Sequence, residues 1–209
     1  MVGKATKSQS KPSAPFWLVL DVHGVLIPSS EQWIIKSVAK QLGKPWWLLY
    51  LRWVLNVSGS QRGTISAKAF YEKVLGQPLT DKQFHQWIFS RYLTRATVPT
   101  SVVHELSRLK KLGWKLALLS DMNTAQAEHH RKQPFMKLFD EVLLSCETGL
   151  MKPFPSAFEE LERRTKARKD HLVFADDLWF NIGIASLLGW RAVTIQGEKS
   201  LLRFLRDLH

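Results

Sequence analysis

The stretch FWLVLDVHGVL (residues 16–26) decides the fold of this chain. Residues 16–20 are continuously apolar, which predicts a strand buried on both faces of a parallel sheet, and Asp21 follows directly. Two further apolar runs, 114–119 and 171–175, also lead into polar residues. Because ligands bind at the carboxyl ends of parallel strands, these polar groups are expected to meet at one edge of the sheet. The residues that share this setting are Asp21, His23, Ser120, Asp121, Asp176 and Asp177.

The order of the predicted elements indicates an α/β core with a helical insertion. From residue 96 onward, strand-like and helix-like segments alternate, which implies a Rossmann-like parallel sheet with helices on both faces. Residues 30–95 read as helical, so we expect a small helical cap inserted after the first strand. The predicted division is a disordered tail at 1–15, a core at 16–29 and 96–209, and a cap at 30–95. The cap helices are predicted at 32–41, 45–56, 66–75 and 81–92, with Thr64 and Thr80 as caps of the last two.

The net charge of the chain indicates which partners to expect, and its cysteine content indicates the cellular compartment. A net charge of +12 over 209 residues favours anionic partners such as phosphorylated substrates or acidic lipid. Nucleic acid is disfavoured as a partner because no recognised binding motif accompanies the charge. The lone Cys146 cannot form an internal disulfide, which indicates a reducing compartment. No stretch reaches the roughly 20 apolar residues of a membrane span, so a cytoplasmic protein is expected.

Four motifs, in this order along the chain, resemble those of the haloacid dehalogenase superfamily of hydrolases. They are Asp21-Val22-His23-Gly24-Val25-Leu26, Leu119-Ser120-Asp121, Lys152-Pro153 and Phe174-Ala175-Asp176-Asp177. The resemblance implies that Asp21 is the nucleophile and that Ser120, Asp121 and Lys152 bind the phosphoryl group. The Mg²⁺ ligands that it implies are Asp21, the main-chain carbonyl of His23, Asp176 and Asp177.

One position departs from the pattern of the capped phosphatases in this superfamily. Those enzymes usually carry a second Asp two residues after the nucleophile, and this chain has His23 there. An ordinary imidazole pKa of about 6.5 suits proton transfer to a leaving alkoxide and from an attacking water. His23 is therefore a candidate general acid and base. The alternative is a side chain that fills space or binds substrate in a protein of weak or altered activity.

The leading hypothesis is a Mg²⁺-dependent phosphatase that acts on a small phosphomonoester. In it, Asp21 attacks phosphorus to form an aspartyl-phosphate while Ser120 and Lys152 stabilise the charge. One alternative is a 2-haloacid dehalogenase, in which Asp21 attacks carbon and forms an ester without a metal. The adjacent carboxylates of Asp176 and Asp177 argue against it. Another alternative is a weakly active or inactive relative that binds membrane, nucleic acid or protein through a basic, tryptophan-rich surface.

The predicted cap is rich in tryptophan. Its segment 45–55 is apolar nearly all round as a helix, which predicts burial against the core or the other cap helices. Two alternatives stay open for the same segment. It could lie at a membrane surface, with nearby cations on anionic headgroups, or form a homodimer contact. The cations concerned are Lys36, Lys40, Lys44 and Arg52.

Two adjacent histidines, His129 and His130, follow the second motif. Neighbouring residues on a helix do not share a face, so a metal site between them is disfavoured. We expect a solvated surface pair instead.

Overall fold

Five parallel strands form the centre of the computed structural model, which describes residues 15–209. They are β1 (Trp17–Leu20), β2 (Lys115–Ser120), β3 (Glu141–Leu144), β4 (Leu172–Asp176) and β5 (Arg191–Thr194). Their order in the sheet is β3-β2-β1-β4-β5, and each neighbouring pair is parallel. This arrangement confirms the predicted Rossmann-like core. The expected disordered tail at 1–15 lies outside the described residues, except for its last position.

The central strand shows why both faces of the sheet are covered. Side chains of a strand alternate between its two faces, so Leu18 and Leu20 point to one side and Trp17 and Val19 to the other. Each pair joins a separate buried apolar cluster. A strand with two buried faces must be apolar throughout, which is the pattern that the sequence shows.

The cap between β1 and β2 is helical, as predicted. It contains α1 (Glu31–Leu42), α2 (Trp46–Gln61), α3 (Ala67–Leu75), α4 (Asp81–Phe84), a π-helical turn (His85–Phe89) and α5 (Ser90–Leu93). The single helix predicted at 81–92 is therefore interrupted by the wider turn. Thr80 caps α4 in a capping box with Gln83, as expected. Ser66, and not the predicted Thr64, caps α3, and its hydroxyl accepts a hydrogen bond from the backbone of Ala69 at 3.2 Å.

The remaining helices flank the sheet. They are α6 (Thr100–Lys111), α7 (Thr124–Arg131), α8 (Ser145–Thr148), α9 (Pro155–Thr165), α10 (Trp179–Leu187) and α11 (Gly197–Asp207). Leu106 of α6 and Leu205 of α11 belong to the cluster of Leu18 and Leu20, whereas Phe158 of α9 belongs to the opposite one. Helix α11 was not predicted.

The cap extends one of the two apolar clusters of the core. Ile34 of α1 and Phe70 of α3 are buried in the cluster that contains Leu20, so the cap packs on one face of the sheet. The prediction that α2 is buried is wrong for most of its length, because Leu49 and Ser60 are its buried residues. None of the helices within residues 15–209 combines the length and the apolar composition that crossing a bilayer requires.

Candidate active site

The carboxyl edge of the sheet brings the predicted polar residues together. Leu20 of β1 pairs in register with Leu118 of β2 and with Ala175 of β4. Asp21, one residue further on, therefore lies beside the ends of both neighbouring strands. Ser120 ends β2 and Asp176 ends β4, and like Asp21 they are buried.

Lys152 joins the strands at this edge. Its ammonium nitrogen lies 2.6 Å from Asp176 Oδ2 and 3.1 Å from Asp21 Oδ1, and its backbone N–H donates to Asp121 Oδ1 at 3.2 Å. Burial lowers the pKa of Lys152, but the carboxylates of Asp21, Asp176 and Asp121 outweigh it and raise the pKa above its ordinary value. The lysine therefore stays charged although it is buried.

Negative charge exceeds positive charge in this cluster, because Asp21, Asp121, Asp176 and Asp177 surround the one ammonium group of Lys152. Burial, opposed in part by Lys152, raises the pKa of Asp121 to about 7. Burial and the charges of Asp21 and Asp176 raise the pKa of Asp177 to about 6. Such shifts indicate carboxylates that lack a compensating positive charge.

The carboxylates fit a magnesium ion. One oxygen from each of Asp21, Asp176 and Asp177 lies within 4.8 Å of the others. Magnesium prefers oxygen ligands and usually keeps several waters, so a small set of carboxylates suffices. The carboxylate of Asp176 already has several protein donors. It accepts hydrogen bonds from Lys152, from the backbone of Leu178 and from Asn181. Asp21 and Asp177 therefore offer the freer oxygens.

Gly24 makes room for Asp177. Its φ of +87° lies in the region that favours glycine, and a Cβ built on it would fall 2.1 Å from Asp177 Oδ2. A larger residue would displace the Asp177 carboxylate from this position. The glycine after His23 thus helps to hold the carboxylate cluster together.

Ser120 carries a polar atom that the protein itself leaves unpaired. Its hydroxyl oxygen is buried, and no group within residues 15–209 forms a hydrogen bond with it. Buried hydroxyl groups almost always have a partner, so an unpaired one next to the Asp21 carboxylate suggests a ligand. The position beside Lys152 and Asp21 suits a phosphoryl oxygen.

Three buried side chains form a hydrogen-bonded chain that begins at His23. His23 Nε2 lies 3.1 Å from the Tyr92 hydroxyl, and the same hydroxyl forms a short hydrogen bond with Nε2 of His130. Burial, together with the nearby His23 and His129, lowers the pKa of His130 to about 3, so its ring is neutral. The prediction of a solvated His129-His130 pair is wrong: His130 is fully buried and His129 is half-buried.

The cluster opens into a cleft of about 650 Å³. Its core side includes Asp21, His23 and Lys152, and its cap side includes Tyr50 and Trp53. The rings of Tyr50 and Trp53 stack nearly parallel, with centroids 5.8 Å apart. The cap thus supplies an aromatic wall opposite the charged edge of the sheet.

Sequence reasoning missed four contributors to the site, namely Gly24, Tyr92, His130 and Asn181. The conformation that requires Gly24 is a property of the folded loop. Tyr92 is 69 residues from His23 and 38 from His130, so only the tertiary fold reveals the contact. Asn181 lies five residues after Asp176, on the first turns of α10, and that spacing was the one available signal.

Parts of two longer curated proteins are similar in sequence to this chain. The bifunctional epoxide hydrolase 2 of Mus musculus is 25% identical to it over 141 residues, which are 65% of this chain and 26% of that protein. The chain therefore spans about a quarter of the length of this curated relative. Acyl-CoA dehydrogenase family member 10 of Mus musculus is 31% identical over 72 residues, which are 34% of this chain and 7% of that protein.

Solved structures share the fold. An enzyme of the HAD family from Bacteroides thetaiotaomicron, in complex with magnesium and inorganic phosphate, aligns with a TM-score of 0.72. It is 22% identical, over 88% of this chain and 96% of that one. L-2-haloacid dehalogenase from Xanthobacter autotrophicus, with chloropropionic acid covalently bound, aligns with a TM-score of 0.62 at 15% identity, over 93% of this chain and 84% of that one.

The family assignment rests on the extent of the sequence match. The sequence model of the haloacid dehalogenase-like hydrolases matches residues 17–189, which include all four motifs at the sheet edge and the whole cap. This chain therefore belongs to the haloacid dehalogenase-like hydrolase family.

Proposed function

We propose that this chain is a Mg²⁺-dependent phosphatase that acts on a small phosphomonoester through an aspartyl-phosphate on Asp21. The observation that carries the proposal is the buried cluster itself. Lys152 is paired with Asp21 and Asp176, and the unpaired hydroxyl of Ser120 lies at the same edge. A lysine and a hydroxyl beside a carboxylate nucleophile suit a phosphoryl group, because phosphoryl transfer depends mainly on positioning and charge stabilisation.

The first step forms the covalent intermediate. Asp21 Oδ1 faces Lys152, which leaves Oδ2 to attack phosphorus. The new bond joins Oδ2 to phosphorus, and the bond from phosphorus to the leaving alkoxide breaks. Lys152 and Ser120 hold the phosphoryl oxygens while this happens. Water then attacks the aspartyl-phosphate, releases phosphate and regenerates the carboxylate.

Asp21 and Asp177 would hold the magnesium ion, with the main-chain carbonyl of His23 and Asp176 completing the predicted set. The ion supplies positive charge that offsets repulsion between Asp21 and the phosphate. The raised pKa of Asp177 supports this assignment, since its carboxyl group lacks a positive partner of its own.

His23 transfers the protons in this proposal, and its partner Tyr92 determines which nitrogen does so. The Tyr92 hydroxyl has one proton, so it donates either to His130 or to His23. When the Tyr92 hydroxyl donates to His130, its oxygen can accept a hydrogen bond from His23 Nε2–H. That bond can then persist whether the His23 ring is neutral or cationic. We therefore assign the exchanging proton to His23 Nδ1. It passes to the leaving alkoxide and is recovered from the attacking water.

Cys146 has no part in this chemistry. Burial raises the pKa of its thiol to about 11, so the thiolate that a cysteine nucleophile needs is scarce at neutral pH. A single unpaired thiol is typical of a reducing compartment, which supports a cytoplasmic location.

The test is phosphate release from a broad panel of phosphomonoesters, with Mg²⁺ or with EDTA. The variants are Asp21→Asn, which keeps the shape of the side chain, and His23→Asp, which restores the residue that related phosphatases usually carry. We expect turnover that requires Mg²⁺, that Asp21→Asn lowers by at least about 10³-fold and that His23→Asp partly retains.

Two results would overturn the proposal. Chloride release from 2-haloacids in EDTA, without phosphate release, would assign Asp21 to metal-independent dehalogenation. No turnover of either substrate class by the wild type or by His23→Asp would indicate an inactive relative.

A further inference from the structure

The outer face of α2 is apolar and exposed. Trp47, Leu51, Val54 and Leu55 recur at the spacing of one helix face and are 59%, 49%, 48% and 73% exposed. We call these four residues the outer face of α2. Single exposed apolar residues are ordinary on protein surfaces, but a contiguous apolar stripe usually marks a contact site.

Two further exposed tryptophans of the cap carry cations on their rings, one on α1 and one on α2. Trp33 and Trp46 are 42% and 48% exposed. The ammonium group of Lys36 lies 4.9 Å from the Trp46 ring centroid, and the guanidinium of Arg95 lies 5.5 Å from that of Trp33. Tryptophan and cations together are typical of the zone where a bilayer meets water.

The charged residues of α2, and those of α1 after Glu31, are of one sign. Residues 32–61 contain four cations, Lys36, Lys40, Lys44 and Arg52, and no Asp or Glu. Lys36 and Lys40 are exposed, whereas Lys44 is bound to the Leu75 carbonyl and to Gln77. An apolar stripe beside exposed cations is complementary to an anionic, apolar partner.

The same charges argue against two other occupants. A second copy docked through a two-fold contact would bring the cations of both copies together without an acidic residue from 32–61 to offset them. Residues 1–14 of this chain contain three lysines, no Asp or Glu and no aromatic residue, so they do not supply the opposite charge. An anionic bilayer offers both negative charge and an apolar interior.

We propose that the outer face of α2 docks on an anionic lipid bilayer. Trp47, Leu51 and Leu55 enter the interfacial zone, and Lys36 and Lys40 contact the headgroups. The cap then lies against the membrane. This inference does not depend on the phosphatase activity, since it rests on the surface of the cap.

The test is flotation of the full chain with vesicles of phosphatidylcholine alone or mixed with phosphatidylglycerol. The variant is Leu51→Glu/Leu55→Glu. Its matched control is Leu112→Glu/Leu187→Glu, which changes two exposed leucines outside the cap and alters the net charge equally. We expect binding to the mixed vesicles that weakens with salt, that the α2 variant lowers by about tenfold or more and that the control changes by less than about twofold.

Three results would overturn the proposal. Absence of binding to the mixed vesicles would exclude the bilayer as partner. Equal loss in the two double variants would show that net charge alone attracts the protein. A dimer in sedimentation velocity that Leu51→Glu/Leu55→Glu separates, without vesicle binding by the wild type, would assign the face to a second copy.

Discussion

The carboxyl edge of the sheet and the outer face of α2 depart from ordinary folding preferences in opposite ways. At the edge, Lys152, Asp21 and Asp176 are charged groups held away from water. On α2, Leu51 and Leu55 are apolar side chains held in water. Burying an ion costs several kcal/mol before it is paired, and leaving a leucine exposed forgoes about 1.5–3 kcal/mol. Stability alone selects neither arrangement, so both regions are candidates for function.

The buried ion cluster should respond much more strongly to loss of a charge than a surface ion pair does. Lys152→Met leaves the buried carboxylates of Asp21 and Asp176 without their cation, so we expect a loss of about 3–5 kcal/mol in the free energy of unfolding. The matched control is Lys68→Met, because Lys68 forms an ion pair with Asp81 at the surface. Exposed pairs contribute about 0–1 kcal/mol. Urea denaturation of both variants measures the difference, and equal losses would contradict the account of the edge.

Gly24 tests whether the edge depends on close approach of its carboxylates. Gly24→Ala places a Cβ against Asp177, so we expect weaker Mg²⁺ binding and a fall in kcat/KM of about 10²-fold. Gly43→Ala is the control, because Gly43 also has a positive φ but has no heavy atom within 4 Å of the added Cβ. Calorimetric titration with Mg²⁺ and steady-state kinetics are measured for both variants. An effect confined to Gly24→Ala would be due to displacement of the Asp177 carboxylate, because both variants strain the backbone. Similar changes in the two variants would show that backbone strain is the whole effect.

The hydrogen bond that His23 Nε2–H donates to the Tyr92 hydroxyl connects the acid and base of the edge to the cap. Tyr92→Phe removes this bond, so we expect kcat to fall by about tenfold with little change in KM. The same substitution in the His23→Asp background is expected to change kcat by less than about twofold, since position 23 then has no imidazole for Tyr92 to orient. An equal loss in both backgrounds would mean that Tyr92 stabilises the cap without positioning His23.

A dependence of stability on pH is expected from the far end of that chain, at His130. The pKa of its ring is lowered to about 3 in the folded protein from 6.5, so the unfolded state binds the extra proton between these values. The stability that this group contributes is almost complete above pH 7. It is lost as the pH falls through 6.5, by at most about 1.4 kcal/mol per pH unit. His130→Gln should remove this component. Denaturation of wild type and variant between pH 7 and 5 measures it, and identical pH slopes would contradict it.

The same contrast between the edge and α2 separates what the sequence could predict from what it could not. Asp21, Ser120 and Asp176 were predictable because each lies at the end of an apolar run, and parallel strands end at one edge. The parallel topology of the sheet therefore brings residues that are far apart in sequence into one site. The predicted α/β class was confirmed for the same reason.

Helix α2 was less predictable because its pattern contains no polar face. A helix that is apolar all round is normally buried, yet only Leu49 and Ser60 of α2 are buried. Periodicity cannot say which side of such a helix has a partner. The prediction for His130 was wrong in the opposite direction, because it was expected to be exposed and is buried. Its contact with Tyr92, which is distant in sequence, could not be read from the local pattern. The boundaries of the cap and the core, and the roles of the site residues, stay predictions.

The central claim is that Asp21 becomes phosphorylated, and the most direct measurement is mass spectrometry of acid-quenched enzyme during turnover of a phosphomonoester with Mg²⁺. The account predicts a mass increase of one phosphoryl group on the peptide that contains Asp21, absent with EDTA and absent in Asp21→Asn. Turnover that persists in Asp21→Asn, or a phosphoryl group on a different residue, would contradict it.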